Sequence, residues 1–181
     1  MSIIHKYITI GGHGTRLKNI SLAEKQNLYF WNKRIIDHIY DIFPDAKVIG
    51  LKKTNSRRET LQQINDRYNV LIIDCDIIPL NIDLKDIDIN KNNVYAFVSA
   101  KNKYGSIIIE NNSVIAASEY NNLSKVKCSG VYFCKDLELV IQNMSDPNSI
   151  ISGMTGANVI MEDTFKRLGD IEDYYEAIGL C

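Results

Sequence analysis

No apolar run in this chain approaches the roughly 18 residues that a helix needs to span a bilayer. The first residues show no charged segment followed by an apolar one of the secretory kind, so the expectation is a cytoplasmic protein with no membrane partner. A marked excess of positive or negative charge is also missing. Lys plus Arg number 21 against 22 Asp plus Glu, for a formal net charge of -1, and no broad polyanion such as nucleic acid is implied as a partner. Cys75, Cys128, Cys134 and Cys181 are scattered. No pair makes a Cys-x-x-Cys or a Cys/His group with zinc-ligand spacing, so they read as reduced, mostly buried thiols. His5, His13 and His38 form no coordinated set, and a serine or cysteine nucleophile with a histidine partner cannot be assembled from spacing.

What is present is the composition of an ordinary globule. The 181 residues are 45% hydrophobic and 24% charged, enough for one domain with a real core. There is no internal repeat, low-complexity tract or linker. The Asn/Asp/Lys-rich stretch from Asn81 to Asn93 reads as a surface connection, so residues 1–181 are expected to form a single domain. Nothing fixes the number of copies, and a homo-oligomer is compatible with the sequence.

Short apolar strands alternate with amphipathic helices in the first half, the pattern of a largely parallel sheet with helices on its faces. Strands are predicted over His5 to Ile10, Lys47 to Leu51 and Val70 to Asp74. Helices are predicted over Lys33 to Phe43, ended by Pro44, and over Arg57 to Tyr68. The second half is β-rich. Val94 to Ser99, Ser106 to Ile109, Ser113 to Ala117 and Ser129 to Cys134 read as strands, and Glu110-Asn111-Asn112-Ser113 as a hairpin turn. A helix from Lys135 to Asn143, an ambiguous stretch from Ser149 to Ile160 and a helix from Asp170 to Ile178 follow.

Two features carry chemistry. Gly11-Gly12-His13-Gly14-Thr15-Arg16-Leu17 follows the apolar run Ile8-Thr9-Ile10 and precedes Lys25. A glycine-rich turn leaving a strand lets backbone N–H groups approach a polyphosphate, and the Arg and Lys neutralise its charge. The spacing is neither a P-loop nor a dinucleotide fingerprint, because Gly14 is followed by Thr-Arg-Leu. The second feature is Val70-Leu71-Ile72-Ile73-Asp74-Cys75-Asp76, a buried-type strand ending in two carboxylates. Ligands of open α/β sheets collect beyond the carboxyl ends of the strands, so both features are expected to face one cleft. A regular strand would point Asp74 and Asp76 the same way, and a strand-end Asp suits magnesium, which takes one or two carboxylates together with substrate phosphates.

Gly-Gly-x-Gly-Thr-Arg-Leu, a Lys a short distance on, and a helix introduced by Asn32-Lys33 resemble the start of the sugar-phosphate nucleotidylyltransferase family, which includes nucleotide-sugar pyrophosphorylases and phosphocholine cytidylyltransferases. The resemblance implies a Rossmann-like, GT-A-like three-layer α/β fold with a mixed central sheet. It also implies Gly11, Gly12, Gly14, Thr15, Arg16 and Lys25 as nucleotide-binding residues and Asp76 as the Mg2+ ligand. The gap from Arg16 to Lys25 is one residue short, and the family's Pro-Lys-Pro reads Glu24-Lys25-Gln26 here. Weaker matches follow in the family's order: Tyr104-Gly105, Glu119 in place of Glu-Lys-Pro, and Ser129-Gly130-Val131-Tyr132. They imply Gly105, Glu119 and Gly130 on the acceptor side. The family's acceptor-phosphate lysine falls on Tyr120, leaving Lys125 or Lys127 for that work. The closing motif resembles Leu168-Gly169-Asp170 to Tyr174, but the second metal-binding Asp falls on Arg167. Asp170 is the nearest substitute, with Glu162 and Asp163 in reserve, although Asp170 is also a natural helix N-cap.

The activity implied is transfer of a nucleoside monophosphate from a triphosphate to a phosphorylated acceptor, a hexose 1-phosphate or a small metabolite such as phosphocholine, with release of pyrophosphate. Arg16, Lys25 and Asp76 are the expected catalytic set. A metal-dependent glycosyltransferase using a nucleotide sugar through Asp-x-Asp and a non-catalytic nucleotide-binding relative are the alternatives.

Overall fold

The computed structural model describes residues 3–10, 25–50, 54–79, 82–102, 104–162, 165–168, 170–177 and 179. Strand β1 (His5–Thr9) is followed by a two-residue hairpin, β2 (Tyr29–Phe30) and β3 (Lys33–Arg34), then α1 (Ile35–Ile42), β4 (Lys47–Ile49), α2 (Arg57–Gln62), β5 (Tyr68–Asp74) and β6 (Ile77–Pro79). The second half contributes β7 (Asn93–Val98), β8 (Ser106–Glu110), β9 (Ser113–Ser118), β10 (Val126–Asp136), α3 (Leu137–Asn143), β11 (Asn158–Met161), β12 (Phe165–Arg167) and α4 (Ile171–Ala177).

Eight strands form one sheet in the order β4-β1-β5-β10-β7-β11-β9-β8. β1 is parallel to β4 and β5, β7 is parallel to β11, and β10 runs antiparallel between β5 and β7. The sheet is therefore mixed, as expected. β10 is longer than its apolar signal because a register shift between Cys128 and Tyr132 lets one strand serve two neighbours along its length.

Period-two alternation explains how β5 is buried on both faces. Val70 and Ile72 join Leu61, Ile64, Leu137 and Val140 beneath α2 and α3. Leu71 and Ile73 join Ile8, Ile36, Ile39 and Phe43 beneath α1. Three layers result, helix on sheet on helix. A third, smaller cluster of Leu28, Phe30, Ile35, Ile78 and Leu168 packs against Tyr174 and Ala177 of α4.

The ends of elements follow local chemistry. Phe43 leaves the helical region because it precedes Pro44, with φ -127 and ψ 72. The Asn111-Asn112 turn has φ 49 and 60, the left-handed pair of a type I′ hairpin that asparagine tolerates. α2 stops at Gln62 instead of running to Tyr68. It closes with tighter bonds, Gln63 N–H to Thr60 O at 3.2 Å and Ile64 N–H to Leu61 O at 3.1 Å, and beyond it the Asp66 carboxylate accepts from Tyr7 at 2.5 Å and Lys47 at 3.4 Å. Tyr68 begins β5 and is exposed. Of the ambiguous stretch, 150–153 forms a 3-10 turn and 158–161 a strand.

Candidate active site

The register of β1 and β5 pairs Thr9 with Asp74, so both strands end at the same edge of the sheet. Thr9 Oγ1 donates to Asp74 Oδ1 at 2.9 Å, and Cys75 N–H donates to the Thr9 carbonyl at 3.2 Å. β1 therefore ends directly beside the acidic tip of β5. Gly11, Gly12, Gly14, Thr15 and Arg16 lie outside the described residues. Lys25 opens a 3-10 turn over Lys25–Asn27.

Beyond Asp74 the strand does not continue in regular alternation. Cys75 and Asp76 form a turn, and the chain resumes as β6. Asp74 and Asp76 are thus separated in role, not presented as an alternating pair. Asp74 is tied into the sheet edge, whereas the Asp76 carbonyl accepts from Leu168 N–H at 2.7 Å at the end of the β6–β12 pairing. That pairing places Arg167 opposite Ile77 and carries the chain to Asp170 two residues beyond Leu168. Leu168 thus lies opposite Asp76 at one end of this short ribbon. Asp170 also caps α4: its Oδ1 accepts from Asp173 N–H at 2.9 Å. Among the described residues no three His, Cys, Asp or Glu side chains form a metal centre by themselves.

On the other side of Asp74 lies Gly130. Its φ is +93, and a Cβ there would stand 1.9 Å from Ile77 Cδ1 and 2.9 Å from Asp74 Oδ2. Only glycine lets β10 approach this closely while adopting a left-handed backbone. Glu119 and Gly105 are in contact in the same way, since a Cβ on Gly105 would lie 2.9 Å from Glu119 Oε2. Ser149 Oγ also donates to that oxygen at 3.4 Å, and the Gly105 carbonyl accepts from Cys128 N–H at 2.8 Å. Glu119, Gly105 and the start of β10 are therefore held together.

The two candidate lysines differ. Lys125 is exposed, and its carbonyl receives Ser99 N–H at 2.8 Å. Lys127 is fully buried, with Nζ donating to Asn122 Oδ1. Burial pushes its pKa below the usual lysine range, with Cys128 opposing the shift.

Arg57 and Asp173 were not assigned roles from sequence. Arg57 Nη2 donates to Asp74 Oδ1, and its guanidinium carbon lies 5.7 Å from the Tyr132 ring centroid. Burial works against its charge, but Asp74, Tyr132 and Glu119 outweigh it and hold the pKa above the ordinary arginine value. The signal available was its position. A cation in the first turn of a helix opposes the macrodipole and calls for a local anion. Asp173, nearly fully buried, accepts from Tyr104 OH at 2.6 Å and pairs with Lys101 Nζ at 3.4 Å, fixing the segment that leads into Gly105.

This mixed three-layer α/β architecture is shared with several solved structures. A nucleoside-diphosphate-sugar pyrophosphorylase from Vibrio cholerae RC9 matches with a TM-score of 0.72 at 13% identity, over 96% of this chain and 99% of that one. A CTP:phosphocholine cytidylyltransferase from Streptococcus pneumoniae matches with a TM-score of 0.72 at 12% identity, over 98% of both chains. An inositol-1-phosphate CTP transferase from T. maritima gives 0.68 at 7% identity, over 99% of this chain and 96% of that one. Neither a protein-family model nor a curated protein matches the chain. The likeness is one of fold.

Proposed function

We propose that this chain is a nucleotidylyltransferase that transfers the nucleoside monophosphate of a triphosphate to a phosphorylated small molecule and releases pyrophosphate. The observation that carries the reading is the Thr9–Asp74 register. Within a fold shared with pyrophosphorylases and cytidylyltransferases, it supports the reading by ending β1, the strand that precedes the glycine-rich segment in sequence, beside the acidic end of β5. The acceptor phosphate oxygen attacks the α-phosphorus in line, and chemistry of this kind calls for positioning and charge neutralisation more than for a covalent nucleophile. The N–H groups of Gly11, Gly12 and Gly14 and the Thr15 hydroxyl hydrogen-bond the phosphate oxygens, while Arg16 and Lys25 neutralise them. On the acceptor side Glu119, Gly105 and Gly130 form the wall, and Lys125 meets the acceptor phosphate.

Mg2+ fits the chemistry of the donors, since Asp76, opposite Leu168 at the end of the β6–β12 ribbon, and Asp170, two residues on in sequence, offer hard carboxylate oxygens. Mg2+ usually binds through one or two carboxylates and takes the rest of its ligands from substrate phosphates and water. When bound, it supplies charge neutralisation to the triphosphate. The domain reads as Rossmann-like and GT-A-like over residues 1–181, cytoplasmic, with small-molecule partners and room for a homo-oligomer. Among the described residues no helix is long and apolar enough to cross a membrane.

The test is incubation of the protein with each nucleoside triphosphate, Mg2+ and a panel of phosphomonoesters including hexose 1-phosphates, inositol phosphate and phosphocholine. Pyrophosphate release with at least one pairing is expected. Silence across the panel refutes the activity.

A further inference from the structure

The connection between β9 and β10 runs from Glu119 to Lys125 and buries none of its own side chains. Tyr120, Asn121, Asn122, Leu123 and Lys125 are all exposed, so apolar packing does little to fix it. Its two ends are nevertheless tied. Glu119 Oε2 accepts from Ser149 Oγ at 3.4 Å, and the Lys125 carbonyl accepts from Ser99 N–H at 2.8 Å. Its middle is held by Ser106 and Lys127, which are cross-strand partners where β8 meets β10. Both are polar and both are fully buried. Ser106 Oγ donates to the Asn121 carbonyl at 2.6 Å and accepts from Leu123 N–H at 2.9 Å. Lys127 Nζ donates to Asn122 Oδ1. Three consecutive loop residues are thus gripped by one buried pair. Burying an amine against a neutral partner costs stability that an apolar side chain of similar length would not. What the amine adds is a directed bond to a segment that otherwise lies on the surface.

We propose that Lys127 is a positioning residue that, together with Ser106, pins the 119–125 loop and so fixes Glu119 and Lys125 for the incoming acceptor. The inference rests on the nucleotidyltransfer reading, in which those two residues stand on the acceptor side. Lys127 acts through Asn122 and does not itself touch the acceptor. A free loop must be ordered each time an acceptor binds, at an entropic cost for every residue held, whereas a pinned loop has met that cost on folding. Unpinning is therefore felt in the acceptor KM and leaves the nucleotide KM alone.

The experiment compares wild type with K127M, N122L, N122D and the double variant K127M/N122L. The readouts are thermal unfolding, hydrogen exchange of the 119–126 amides by mass spectrometry, and pyrophosphate kinetics with whichever of a hexose 1-phosphate, inositol phosphate or phosphocholine wild type uses. K127M keeps the length and removes the amine, so it is expected to melt at or above the wild-type temperature. Its loop amides should exchange about tenfold faster. Its acceptor KM should rise about tenfold with the nucleotide KM unchanged. Retained stability with lost acceptor affinity marks a positioning role, since a merely structural lysine would lower the melting temperature and leave both Michaelis constants in place. N122D keeps an oxygen for Nζ and should hold loop protection and acceptor KM at wild-type values. K127M/N122L should be little worse than either single variant. If K127M does not fold, N122L, a change at an exposed position, carries the same comparison. Loop exchange at the wild-type rate in the folded variants overturns the inference, as does faster exchange with an unaltered acceptor KM. A wild type silent with every acceptor instead overturns the function, and the loop's acceptor role with it.

Discussion

Gly130 is where sequence, packing and site meet most tightly, and Gly130→Ala is the sharpest single perturbation. The added methyl would lie 1.9 Å from Ile77 Cδ1, 2.9 Å from Asp74 Oδ2 and 3.2 Å from Asp74 Cβ, on a backbone with φ +93. Forcing a residue with a Cβ into that backbone region costs about 1–3 kcal/mol. Overpacking costs about 1–3 kcal/mol more. Ile77 cannot swing aside cheaply because it is fully buried. A total of about 2–6 kcal/mol is a large share of the roughly 5–15 kcal/mol that stabilises a typical domain. With each kcal/mol worth about 2–4 °C in a chain of this size, the melting temperature should fall by roughly 5–20 °C. Scanning calorimetry or circular dichroism measures it directly. Combining the change with Ile77→Ala, which removes the clashing Cδ1, should restore part of the loss, so the two effects will not add. A Gly130→Ala protein melting within a degree of wild type would refute the packing argument and the close approach of β10 to Asp74.

Three further outcomes are expected. Asp76→Asn should abolish measurable pyrophosphate release while leaving the unfolding transition in place, and retention of more than about a tenth of the rate would remove Asp76 from the catalytic set. Asp170→Asn keeps a side-chain oxygen for Asp173 N–H, so stability should hold while magnesium-dependent nucleotide binding weakens. Asp170→Ala should lose both, with about 0.5–2 kcal/mol of stability from the missing cap. Asp66 is held below the usual carboxylate range first by the Tyr7 hydroxyl, with Lys47 and His5 adding to the effect against burial. Its stabilisation is full above the unfolded value of about 3.9 and is lost as pH falls through the lower folded value. Asp66→Asn should flatten that acid limb in pH-dependent denaturant titrations, and an unchanged limb would exclude Asp66 as its source.

Wherever one residue pattern had one physical solution, the fold was legible. The unbroken Val70–Ile73 run fits a strand buried on both faces, and β5 lies inside the sheet with β1 and β10 on either side. The paired asparagines at 111 and 112 fit one hairpin turn, and their positive φ values confirm it. Reading faltered where a distant partner decided. Arg57 to Tyr68 has apolar spacing for a longer helix, but α2 ends at Gln62 and Asp66 beyond it is engaged by the distant Tyr7 hydroxyl of β1. The Asp-x-Asp tip looks like regular strand until β12 draws Asp76 into a turn. Glu119, Gly105 and Gly130 came into view through their order along the chain. Arg57 did not, because its value depends on Asp74, 17 residues away, and no local pattern announces that pairing.

The buried carboxylate of Asp173 has a consequence for how the molecule is made. Tyr104 must wait 69 residues for the group that receives its hydroxyl, and Tyr29 must wait 145 for the Tyr174 hydroxyl that donates to its carbonyl. During synthesis the sheet can collapse early, yet Tyr104 and Tyr29 stay without these partners until α4 emerges. Such long-range closure is slow, so the packing of α4 against the rest of the fold should form late.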